Sequence, residues 1–152
     1  MRGNHDESAV RAARDEGERD LAPESLAWLD ALPATRRYQW EGERVWIAHG
    51  APSRIDEYVF ADKVPKRLRR ELRAVEADVL LLGHTHRPMV VRLGALWIVN
   101  PGSVTGARTR DSHTCAILDL PGCAARFYDL DDGAEREVAP VVVGAAREDP
   151  DG

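Results

Sequence analysis

Apolar positions along this chain change their spacing several times, and each change marks a predicted element. Glu7 to Asp20 is polar and charged and predicts at most a short helix around Ala9 to Arg14. Pro23 then opens a helix over Glu24 to Leu32, because proline is tolerated in a first turn and Leu26, Leu29 and Leu32 share one face. Pro33 ends it. Aromatic and β-branched residues in Arg37 to Trp40 and Arg44 to Ala48 predict a hairpin around Glu41-Gly42-Glu43. Ala51 to Asp62, entered through Pro52, reads as a loop. Val64, Leu68, Leu72 and Val75 then form one stripe of a helix over Val64 to Val75. Lys66, Arg67, Arg69, Arg70 and Arg73 lie outside the stripe as a solvated face.

Asp78 to Leu82 is wholly apolar after its first residue, the pattern of a strand buried on both faces. Met89 to Arg92 and Ala95 to Val99 follow, joined at Leu93-Gly94. Thr114 to Leu120 and Ala124 to Leu130 predict a second hairpin around Pro121-Gly122. Val138 to Val143 adds an edge strand, and Gly144 to Gly152 reads as a frayed tail, so that residues 1–143 form a single domain. Trp28, Trp40, Trp46 and Trp97 are spaced as core or hairpin residues and make no stacking platform.

Composition narrows the classes. The 152 residues are 43% apolar and 31% charged, with a formal net charge of −5, which suits one globular core and argues against a dedicated nucleic-acid binder. No apolar run reaches the ~20 residues that cross a bilayer, and no hydrophobic stretch backs the N-terminal charge, so a cytoplasmic protein with no membrane partner is expected. The two cysteines, Cys115 and Cys123, fall far apart across the second hairpin and predict no bridge. Of 21 basic residues only Lys63 and Lys66 are lysines, a bias that fits a GC-rich gene.

The histidines carry the chemistry. His49 follows Val45-Trp46-Ile47-Ala48 and precedes Gly50; His84 and His86 follow Val79-Leu80-Leu81-Leu82-Gly83; His5 stands in Gly3-Asn4-His5-Asp6. Each sits where a predicted strand gives way to a loop beside a glycine, and in layered α/β proteins neighbouring strand ends share one crevice. Imidazole suits borderline divalent cations, and an Asn carbonyl is a hard donor. Any one of these histidines alone reads as a hydrogen-bonded core residue; four with Asn4 point to a metal centre. His113 lies outside the set and reads as structural or surface.

Gly3-Asn4-His5-Asp6, His49-Gly50 and Gly83-His84-Thr85-His86, in that order, resemble the calcineurin-like metallophosphoesterases, closest to the small bacterial and archaeal phosphodiesterase branch. Arg87-Pro88 and Asn100-Pro101-Gly102-Ser103-Val104 are similar to that branch as well. The resemblance implies a four-layer α/β/β/α sandwich with two mixed sheets. It implies hydrolysis of phosphodiesters at two divalent ions, manganese first, with nickel, iron or zinc as alternatives. Asn4, His49 and His84 would bind one ion and His86 the other. His5 would protonate the leaving alkoxide, Asp6 would hold His5, and Asn100 and Ser103 would touch substrate. Members of the branch often self-associate, so a homo-oligomer is expected.

The family's Asp-x-His and Gly-Asp motifs have no counterpart before Gly3. One site would keep three ligands and the other only His86, so the chain as given is expected to be inactive. A start codon misread at an internal valine, with the first strands of the sheet encoded upstream, would account for the missing motifs. The rival expectation is a non-catalytic scaffold, as the same fold serves in the retromer scaffold subunit, or a remnant of the fold.

Overall fold

A computed structural model describes residues 1–15, 21–64, 66–105 and 112–143, so the expected tail over 144–152 lies outside the described residues. In chain order the elements are α1 (Asn4–Asp15), α2 (Pro23–Ala31), β1 (Thr35–Trp40), β2 (Glu43–Ala48), α3 (Lys66–Arg73), β3 (Val79–Leu81), β4 (Pro88–Leu93), β5 (Leu96–Pro101), β6 (Thr114–Asp119), β7 (Ala124–Asp129), β8 (Glu135–Arg136) and β9 (Val141–Val143). The larger sheet has the order β1-β2-β3-β5-β4-β9, and the smaller the order β6-β7-β8.

The centre of the large sheet is parallel: β2 pairs with β3 and β3 with β5. Antiparallel hairpins flank it, β1 with β2 and β4 with β5. The first hairpin closes through Glu41 and Gly42, both at positive φ (48° and 83°), the turn whose twist matches that of the strands. Val79 and Leu80 of β3 are fully buried, as an apolar run between parallel neighbours requires. Asp78 stands just before β3 and receives the Arg44 backbone N–H (2.8 Å) and guanidinium (2.9 and 3.0 Å), fixing β2 against β3. That pairing pulls the Asp78 carboxyl down to about 2.

Side chains alternate across the large sheet. Leu80, Val91 and Ile98 face Leu68 and Leu72 of α3 in one core. Val45, Val79, Val90 and Val99 meet Phe127 of β7 and Cys123 of the turn before it in the other. Cys115 and Cys123 are both free thiols, and burial pushes Cys123 up to about 11.

The two-sheet α/β arrangement is the one expected, the large sheet mixed and the small sheet antiparallel. Ile117 of β6 is 48% exposed. Two expectations are corrected. Helix α2 buries none of its residues: it runs along α1, tied by Asp30 to Arg2 and Arg14, and Trp28 stands out at 64% exposure instead of entering the core, while Trp40 closes β1 of the first hairpin as expected. Finally, α1 begins at Asn4 rather than near Ala9, because Asp6 reaches back to accept the Gly3 N–H (2.7 Å) and closes the first turn.

Candidate metal centre

The ends of β2, β3 and β5 lie side by side, since Ile47 pairs with Leu81 and Leu81 with Val99. Beyond the ladder, the Gly83 N–H donates to the His49 carbonyl (2.8 Å) and the Leu82 N–H to the Val99 carbonyl (2.9 Å). These bonds carry the sheet one step further and set His49 next to Gly83-His84. Helix α1 brings Asn4 to the same place from the other end of the chain.

The contacts that result are short. His49 Nε2 and Asn4 Oδ1 are 2.8 Å apart. The His49 and His84 rings are 5.0 Å apart between centroids, tilted by 57°. His84 Nε2 donates to the Asp56 carbonyl (3.0 Å), which fixes the proton there and leaves Nδ1 as a lone-pair donor. The Tyr58 ring stacks on His84 at 3.9 Å. Burial pushes His49 down to about 4, with the charge of His84 adding to the shift and Asp6 opposing it. Burial lowers His84 as well, against its bond to Asp56. Both imidazoles are therefore neutral near pH 7, the form that ligates a cation.

His5 is exposed in the first turn of α1. Asn4, His49 and His84 thus meet at one sheet end, with Asp6 acting on His49. The hydrogen bond the structure gives Asp6 comes from the Gly3 N–H rather than from His5. Asn100 and Ser103, expected to touch substrate, are turned inward. Asn100 is fully buried, and Ser103 Oγ lies 3.0 Å from Thr105 Oγ1. His113 pairs with Asp131 (2.7 Å). Sequence reasoning passed over Asp56 and Tyr58, which hold His84; the alternation Tyr58-Val59-Phe60 in a segment read as loop was the available signal.

Gly50 turns the chain away from His49. A Cβ there would lie 2.5 Å from the Ile55 carbonyl oxygen and 2.8 Å from those of Arg54 and Glu57, so no side chain fits. Below the histidines an apolar cleft of about 310 Å³ runs between the sheets, lined by Met1, Ile47, Leu81, Val99, Ala116 and Leu118 among others.

The sequence model of the calcineurin-like phosphoesterase superfamily domain matches residues 1–122. The chain belongs to the calcineurin-like phosphoesterase superfamily. A protein described as a probable metallophosphoesterase of Methanothermobacter thermautotrophicus is 34% identical over 85 residues, 56% of this chain and 45% of that protein. The chain thus spans less than half the length of this curated relative. Among solved structures, a metallophosphoesterase from Sphaerobacter thermophilus superposes with TM-score 0.56 at 21% identity, over 90% of this chain and 64% of that one. Wild-type Vps29 of Entamoeba histolytica complexed with zinc superposes with TM-score 0.53 at 22% identity, over 70% of this chain and 59% of that one.

The family implies divalent ions, and the residues present fit them in part. Asn4 Oδ1 and His49 Nε2 converge at the spacing of two donors to one ion, and His84 keeps Nδ1 available beside them. The other position does not fit. Among the described residues no three His, Cys, Asp or Glu side chains stand close enough to hold an ion by themselves.

Proposed function

We propose that this chain carries the amide-and-imidazole part of a metal-dependent phosphodiesterase site and is catalytically silent until carboxylates complete it. The observation that supports this is the convergence of Asn4, His49 and His84 at one sheet end. When bound, a divalent ion such as manganese, or else nickel, iron or zinc, supplies Lewis acidity toward the phosphoryl oxygens. Asn4, His49 and His84 would hold that ion, and His86 alone would remain for a second, too few to hold it. His5 stands exposed at the rim, where an imidazole can give its proton to the leaving alkoxide. Asp6 acts on His5 through the first turn of α1, which its bond to the Gly3 N–H closes.

The test is hydrolysis of bis-p-nitrophenyl phosphate with Mn²⁺. The chain as given is expected at background. A version extended at its N-terminus by a segment bearing Asp-x-His and Gly-Asp is expected to turn over, with activity abolished by His5→Ala or His84→Ala. Turnover by the unextended chain, lost in His84→Ala, would refute the ligand count. Silence of both versions favours the second reading, a non-catalytic scaffold, which the Vps29 likeness supports.

A further inference from the structure

The loop Gly83-His84-Thr85-His86 places two histidines in left-handed backbone, φ 65° at His84 and φ 56° at His86. A residue with a Cβ is uncommon in that region, and two of them in one short loop call for contacts that hold the loop there. Asn100 is the side chain at the right place to do so. It follows Val99, the partner of Leu81, and so lies beside the continuation of β3. It is fully buried, unusual for asparagine, and its amide is engaged at both ends. Nδ2 donates to the Gly83 carbonyl (2.6 Å) and to Thr85 Oγ1 (3.1 Å), the residues on either side of His84. Oδ1 accepts the Gly102 N–H (2.9 Å), tying the same group to the turn that leaves β5. Thr85 in turn accepts the Arg87 N–H (3.3 Å), and the Ser112 N–H donates to the His86 carbonyl (3.1 Å).

We infer that Asn100 is a positioning residue, whose amide clamps the Gly83-to-His86 loop in the left-handed form that turns His84 and His86 toward Asn4 and His49. It acts through the loop and does not touch substrate. For its metal readout alone the inference rests on the function proposed above; the backbone geometry stands without it.

Asn100→Asp separates the two halves of the amide, keeping an oxygen for the Gly102 N–H and removing both donated bonds. In the ¹⁵N- and ¹³C-labelled chain, backbone couplings and Cα shifts are expected to show His84 and His86 leaving the left-handed region. Titration with Zn²⁺ is expected to show roughly tenfold to hundredfold weaker binding, the usual effect of losing a group that orients ligands. Val91→Ala, a cavity at a fully buried position of β4, is the control: it lowers the melting temperature and leaves both signals alone. A folded Asn100→Asp protein with left-handed histidines and unchanged Zn²⁺ affinity overturns the inference. Should Asn100→Asp fail to fold, Thr85→Val removes one clamp partner and must move the same signals in the same direction; unmoved signals overturn it equally. If the wild-type chain binds no Zn²⁺, the metal reading falls, and the backbone signals decide the positioning role by themselves.

Discussion

Acidification should weaken this fold through His49 in particular. The ring is held half-buried at the end of β2, and its pKa falls from 6.5 to about 4, chiefly through burial and then through the charge on His84. A histidine depressed in the folded state binds its proton more readily when unfolded. The stability it contributes is therefore complete above about pH 6.5 and is lost as the pH falls toward 4. At about pH 5 the full shift corresponds to a loss of ~2 kcal/mol relative to neutral pH, from the two pKa values and 1.36 kcal/mol per unit. Solvent reaches part of the ring, which reduces this to about 1 kcal/mol. For a chain of this size that is roughly 3 °C in melting temperature. His49→Gln keeps an amide within reach of Asn4 and removes the titration. Urea melts of both proteins between about pH 7 and 5 are the assay: the wild type should lose about 1 kcal/mol more than the variant across that window. Parallel stability curves would refute the burial argument.

Two further substitutions probe the frame around the centre. Gly50→Ala puts a methyl group against three carbonyl oxygens and should destabilise by about 2 kcal/mol, with loss of the His84 to Asp56 bond visible in the His84 imidazole ¹⁵N shifts. Phe127→Ala empties the joint between the sheets, where the ring is 1% exposed, and should lower stability by about 3–5 kcal/mol in a urea titration.

The strands and the centre were legible in the sequence to different degrees. Val79 to Leu81, the Glu41-Gly42 turn and the second hairpin announce themselves through local chemistry: an apolar run, a positive-φ pair, a Pro-Gly turn. The α1 start was missed because its cap is a backbone N–H held by Asp6 across three residues, with a glycine where a Ser or Thr signal is sought. Trp28 was misplaced since helical spacing tells which residues share a face, not whether that face finds a partner. At the centre, strand-end histidines beside glycines pointed to the sheet end where Asn4, His49 and His84 meet. The inward turn of Asn100 was invisible for a different reason. An asparagine at a strand end serves a ligand or the backbone equally well, and only the neighbouring Gly83 carbonyl decides between them.

The parallel centre of the large sheet has a consequence for how the protein matures. β2, β3 and β5 join residues distant along the chain, Val45 to Val79 and Val79 to Trp97, while Asn4 arrives from the opposite end. No fragment shorter than nearly the whole of this stretch can gather the three donors. Their assembly is therefore all-or-none with late, long-range folding, and a cation that prefers the gathered state would act as a fastener on the last step.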